Sequence, residues 1–183
     1  MASQPEPIIL TYDDLQTMPE DGNRYELFEG DIEVTPSPII RHQRVVTNLS
    51  HILNGHVREH HLGTVLVGPT DVVVSPITVM IPDLLFVSTA REAIIHERFI
   101  NGAPDLVVEV LSPSTAERDR RSKKNLYARY GIPHHWLIDA AEQVFETYDL
   151  SGTAYVLSGQ SQGSGVLVAR PFLDLSINLG QVW

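Results

Sequence analysis

The chain predicts an α/β (α+β) layer structure, with one mixed sheet flanked by helices, and three observations carry that expectation. A long helical pattern is followed by a series of strand-like runs, then by a strand–helix–strand unit, then by a meander with short polar turns. The strand–helix–strand unit spans residues 103–131, APDLVVEVLSPSTAERDRRSKKNLYARYG, and the rest of the chain is organised around it. Its opening run, Leu106-Val107-Val108-Glu109-Val110-Leu111, is rich in β-branched residues and reads as a strand covered on both faces. Glu109 is the exception in that run. A buried carboxylate costs several kcal/mol unless a cation or a set of donors compensates it. Glu109 is therefore either paired with Arg or Lys, or holds a metal.

The elements follow in order. Thr11, with Asp14 three residues later, caps a short helix that ends by Pro19. Gly22-Asn23 turns the chain into Tyr25-Glu26-Leu27-Phe28, and Glu29-Gly30-Asp31 makes a hairpin turn into Ile32-Glu33-Val34. Between residues 41 and 61, Val45, Leu49, Ile52, Leu53 and Val57 recur at helical spacing, and Gly63 terminates the element. Strands are expected over 64–67, 71–74 and 77–87, the last interrupted at Pro82, with a short helical piece over 90–95. Ser114 and Glu117 form a capping box for a helix running to Tyr130, with Gly131 and Pro133 ending it. On that helix Ala116, Lys123, Leu126, Tyr127 and Tyr130 share the face turned toward the sheet, flanked by Asp119 and Arg120. Lys123 stands at its centre, and Lys124 points roughly 100° away. The alternative for Lys123 is a stem lying on apolar surface with its head in solvent. Strands over 136–139, 144–148 and 154–157 follow; SGQSQGSG at 158–165 reads as a flexible loop, and beyond it one further strand, over 166–168, is expected.

The length of 183 residues suits one domain, 1–183, with a substantial core. There are no cysteines, which excludes disulfides, thiolate catalysis and Cys-based zinc sites. The opening MASQPEPIILTYDD lacks the segments of a signal peptide, and no apolar run approaches the roughly 20 residues that cross a bilayer. A cytoplasmic protein without membrane contact is the expectation, and a homo-oligomer is compatible with it. The net charge of −10 disfavours nucleic acid as a partner in general, yet residues 117–124 hold five basic and two acidic residues, a local +3 against −13 elsewhere. A solvated helix face is the ordinary explanation of such a run.

A divalent cation such as Mg²⁺ or Mn²⁺ takes one or two carboxylates together with carbonyls and waters. Asp105 lies four residues before Glu109, roughly 13 Å along a strand, so the two cannot share an ion. The partner carboxylate must come from another strand, and Asp83, opening PDLLFVS, is the best placed. Two such carboxylates repel when no cation lies between them. His56 and His60, four apart on a helix, face one way and would ligate zinc if a third ligand and a general base accompanied them. Neither is apparent in the sequence, and solvated histidines are the favoured reading.

PDLLFVS, GAPDLVVEVLSPST, DRRSKKNLYARYGIP and WLID, with the upstream YELFEG and SPIIRHQR, resemble the Uma-two-type family of restriction-endonuclease-like proteins over residues 12–150, with a weaker tail to the C-terminus. The resemblance implies a PD-(D/E)xK nuclease core and metal-dependent hydrolysis of phosphodiester bonds, with nucleic acid (DNA first) as substrate and Mg²⁺ or Mn²⁺ as cofactor. It implies Asp83 and Glu109 as metal ligands, the Val110 carbonyl as the backbone ligand, and Lys123 as the catalytic lysine. Leu111 stands where the superfamily usually has that lysine, and the helix supplies it instead. Glu26 and His42 match further acidic and histidine positions, each with an ordinary structural alternative. His134-His135 departs from an acidic–aromatic pair. The competing functions are a nuclease-fold binding or assembly module without turnover, and a metal-dependent hydrolase of a small phosphorylated molecule.

Overall fold

The computed structural model of the chain describes residues 8–112 and 119–183. Thr11 caps helix α1 (Tyr12–Leu15) through a reciprocal capping box with Asp14. The hairpin of β1 (Arg24–Phe28) and β2 (Asp31–Thr35) closes on Glu29 and Gly30, both at positive φ (56° and 91°), the conformation a two-residue hairpin loop requires. Helix α2 (Ile40–Glu59) buries Val45, Val46, Leu49, Leu53 and Val57 along one stripe. Strands β3 (Gly63–Val67), β4 (Asp71–Ser75), β5 (Thr78–Met80), β6 (Leu84–Ser88), β7 (Phe99–Asn101) and β8 (Leu106–Leu111) follow, with a 3₁₀ turn at Thr89–Ile94. A π-helical turn (Asp119–Lys123) runs directly into α3 (Lys124–Arg129). The chain ends with β9 (His134–Asp139), β10 (Val144–Ser151), β11 (Ala154–Gln162), β12 (Val166–Ala169) and β13 (Phe172–Asn178). The expected capping box at Ser114 and Glu117, and Ala116 on the inward face, lie outside the described residues.

The α/β (α+β) class holds, with one difference in layout. Instead of one sheet, the strands divide into a six-stranded mixed sheet (β11-β10-β9-β8-β6-β3), a five-stranded mixed sheet (β2-β1-β5-β4-β7) and the β12–β13 hairpin. The apolar run over 77–87 breaks at Ile81–Asp83, so β5 pairs with β1 and β4 while β6 pairs with β3 and β8. One apolar stretch thereby serves two sheets.

Strand alternation then sets the layers. Leu106, Val108 and Val110 of β8 pack with the α2 stripe, Leu84, Phe86 and Trp136. Val107 joins a second core on the opposite side with Leu85, Val87, Leu126, Tyr127, Met80 and Ile100. Glu109, two residues on from Val107, shares that second side.

Two C-terminal expectations give way. SGQSQGSG is not a loop throughout: β11 runs to Gln162 in register with β10, around a bulge at Thr147/Tyr148. An edge strand with an exposed face tolerates the Ser, Gln and Gly residues that suggested a loop. The C-terminal region also yields two strands rather than one; β12 and β13 bury Leu167, Phe172 and Ile177 against the α2 core.

Candidate metal-centred active site

Two strands, a helix and a hairpin converge on a narrow recess lined by Arg24, His42, Asp83, Glu109, Val110 and Lys123. Asp83 stands just before β6, anchored by its own N–H donating to the Val108 carbonyl at 3.1 Å. Its carboxylate is buried yet richly served. The Val110 N–H donates to Oδ2 at 2.9 Å, His42 Nε2 approaches the same oxygen at 3.0 Å, and Arg24 Nη1 donates to Oδ1 at 3.2 Å. Burial alone would push this carboxyl's pKa upward. The His42 contact, the Val110 N–H and the charge on Lys123 outweigh it, and the pKa lies below the ordinary carboxylate value. Asp83 is therefore an anion at neutral pH, and His42 Nε2–H is the donor in their contact. His42 Nδ1 is buried with no hydrogen-bond partner among the described residues.

Lys123 closes the other side. It ends the π-helical turn at the start of α3, and its side chain is buried, only 3% exposed. Its ammonium donates to Glu109 Oε1 at 3.1 Å and to Glu26 Oε1 at 2.9 Å. The solvent-reaching alternative for this lysine is thus excluded. Glu26, on β1, also accepts the Ile81 N–H at 2.7 Å, which fixes it where β5 leaves the five-stranded sheet. Tyr127, one helical turn after Lys123, donates its hydroxyl to Glu109 Oε1. Each buried carboxylate has a cation or an aimed donor, the condition under which such burial is tolerable.

Glu26, Asp83, Glu109, Lys123 and His42 are all brought together. Val110 joins them through its N–H on Asp83 and as part of the recess wall. Asp105 is elsewhere, bonded to the Ser88 N–H and Arg91, in agreement with its assignment to structure alone. Two participants escaped the sequence reading. Arg24 lies two residues before Glu26 on one strand, so the R-Y-E spacing places both on one face; that was a readable signal. Helix spacing puts Tyr127 on the inward face, but its bond to Glu109 on another element is not visible in that spacing. The repulsion expected between Asp83 and Glu109 is met by Arg24, His42 and Lys123, which stand beside the two carboxylates.

The donor set fits a hard divalent cation. Asp83 and Glu109 present carboxylate oxygens to the recess, and Glu26 adds a third carboxylate on Lys123, the kind of ligand such an ion takes.

Beyond the recess, the two remaining site-adjacent histidines differ. His134 Nδ1 pairs with Asp149 at 2.8 Å. His135 is fully buried among the rings of Tyr127, Tyr148 and Tyr155 (centroids 5.4, 6.0 and 5.5 Å), and neither of its ring nitrogens has a hydrogen-bond partner among the described residues. Burial, then the charges on Lys124 and Lys123, lower its pKa from 6.5 to about 3. Lys124 points away from the recess, with its ammonium 3.3 Å from the centre of the Tyr148 ring.

Among the described residues, no helix is long and apolar enough to cross a membrane. No curated protein matches the chain. Among solved structures it resembles one described as "a putative nuclease belonging to DUF820" from Anabaena variabilis ATCC 29413. The two are 19% identical, with a TM-score of 0.76 over 94% of this chain and 97% of that one, a likeness of fold. The family profile described as "Uma2: Putative restriction endonuclease" matches residues 12–180. The chain belongs to that Uma2 family of restriction-endonuclease-like proteins.

Proposed function

We propose that the protein is a Mg²⁺- or Mn²⁺-dependent nuclease acting as one cytoplasmic restriction-endonuclease-like domain, with the recess at Asp83, Glu109 and Lys123 as its active centre. The observation that carries this reading is the buried lysine set between carboxylates, Lys123 with Glu109 and Glu26, in the same recess as Asp83. Asp83, Glu109 and the Val110 carbonyl would hold the ion, which when bound polarises a phosphate and lowers the pKa of a water.

The remaining work falls to the chain itself. Lys123 would place its charge against the phosphate oxygens as negative charge develops, a contribution that removal of one such donor generally values at 10²–10³-fold in rate. Tyr127 and Glu26 hold Glu109 and Lys123 in place from behind. His42 and the Val110 N–H orient Asp83 so that it stays ionised. Arg24, partly exposed at the mouth beside Asp83, supplies a guanidinium whose planar fork suits a backbone phosphate.

Cleavage of single- and double-stranded DNA and RNA, with and without metal, tests the proposal. DNA cleavage that requires Mg²⁺ or Mn²⁺ and is lost in Asp83→Asn is expected. Binding without turnover would instead indicate a nuclease-fold binding or assembly module, the reading that the acidic net charge of −10 favours somewhat.

A further inference from the structure

At the far end of α2 from His42, a second group of ligand-bearing side chains comes together. His56 sits on the last turn of the helix, His60 caps its C-terminus, and β13 brings Asp174 to them. One ligand atom from each of the three lies within 4.8 Å of the others. His42 and His56 are fourteen residues apart on α2, which at the helical rise is about 21 Å. No single ion serves both places.

Three details make this more than a chance grouping. First, His56 is 8% exposed, and its Nε2 lies 3.2 Å from Asp174 Oδ1 but is not aligned for a hydrogen bond, so it is buried without a hydrogen-bond partner. The distance is that of an ion pair, while the orientation leaves the nitrogen unsatisfied. Adjacent ligands on a tetrahedral zinc, with bonds near 2.0–2.1 Å, stand about 3.3 Å apart, so the same spacing suits two ligands of one ion. Second, His60 Nδ1 lies 2.9 Å from the His56 carbonyl, which can only accept, so Nδ1 carries the proton and Nε2 of a neutral His60 carries the lone pair. Metal-bound histidines are commonly oriented this way, through a backbone carbonyl on the other ring nitrogen. Third, the two rings lie 4.4 Å apart, and Phe172 packs edge-on to His56 at 5.6 Å, so His56 is held in an apolar setting.

We propose that His56, His60 and Asp174 form a second metal site, selective for Zn²⁺ or another imidazole-preferring divalent ion over Mg²⁺, and that it clamps α2 to the C-terminal hairpin. Two imidazoles and one carboxylate leave a fourth position for water. The chain here reads His56-Val57-Arg58-Glu59-His60, the H-x-x-E-H order rather than HExxH, and the role we assign to the site is the clamp between α2 and β13. The sequence displays the two histidines but not Asp174, which arrives from a distant strand.

Zinc calorimetry at pH 7.5 in excess Mg²⁺, with thermal melting alongside, tests the site. Wild type should bind Zn²⁺ here and melt at higher temperature when loaded. His60→Ala and Asp174→Asn, both at exposed positions, should remain folded and each weaken Zn²⁺ binding at least about tenfold. Asp83→Asn should keep the site. Either His60→Ala or Asp174→Asn binding Zn²⁺ as tightly as wild type, or loss of the zinc signal in Asp83→Asn, overturns the proposal.

Discussion

Glu109 on β8 and His135 on β9 lie on neighbouring parallel strands, both almost wholly shielded from solvent, with Tyr127 touching each. Glu109 is met by the Lys123 ammonium and the Tyr127 hydroxyl. His135 packs among aromatic rings, with no hydrogen-bond partner for its nitrogens among the described residues, and its pKa falls to about 3 as burial and the nearby lysines disfavour its charged form. The same tyrosine thus gives its hydroxyl to one residue and packs its ring, tilted by 59°, on the other. The difference teaches how to read a buried ionisable group. Where its surroundings supply opposite charge and donors, the fold is maintaining a charge. Where they supply only rings, the fold is maintaining a neutral shape.

Removing a member of the charged set should have the largest effect. Glu109→Ala leaves the Lys123 ammonium buried with one of its carboxylate partners gone, and should destabilise the protein by about 3 kcal/mol in chemical denaturation. It should also abolish metal-dependent cleavage. A gain in stability would mean that the carboxylates repel each other in spite of their cations. Tyr127→Phe keeps the ring that His135 packs on and deletes only the donor to Glu109. It should cost about 2 kcal/mol and lower kcat more than it raises KM, since the hydroxyl orients a metal ligand rather than the substrate.

The neutral side of the comparison makes a pH prediction. His135 has a folded pKa of about 3 against 6.5 when free, so below 6.5 the unfolded chain takes up a proton that the folded chain refuses. Its contribution to stability is complete above pH 6.5 and is lost as pH falls toward 3, by up to about 1.4 kcal/mol per pH unit. Asp83, with a lowered pKa, contributes stability that is lost only at more acidic pH, below its ordinary value of 3.8. His135→Phe should flatten the stability profile between pH 6.5 and 4 and add about 1 kcal/mol at pH 8, by removing two unsatisfied ring nitrogens. An unchanged profile would place the titrating group elsewhere. The smallest effect belongs to the exposed strip: Arg121→Ser should reduce the salt dependence of DNA binding by about one unit of slope, without altering the rate at saturation.

Much of this was legible in the sequence, for definite reasons. Glu109 declared itself because a charge interrupts an otherwise apolar six-residue strand. Lys123 was separable from Lys124 because helix geometry assigns adjacent residues different directions, and the structure sends one to Glu109 and the other to the Tyr148 ring. What stayed hidden depends on long-range pairing. The break at Ile81–Asp83 does not reveal that β5 and β6 join different sheets. Arg24 was marked only by its spacing from Glu26. The Gly- and Ser-rich stretch of β11 looked like a loop because its partner strand, not its own composition, makes it a strand. Asp174 is the extreme case, meaningful only once β13 lies against α2.

The most direct test of the central claim, that chemistry resides in the recess and not in the basic strip around it, is single-turnover cleavage at saturating Mn²⁺ by Lys123→Ala and Lys124→Ala. Melting curves should be recorded for both variants. Lys123→Ala should lose about 10²-fold or more in rate while still melting cooperatively, and Lys124→Ala should stay within about threefold of wild type. Equal losses in the two variants, or full activity in a folded Lys123→Ala, would contradict the account.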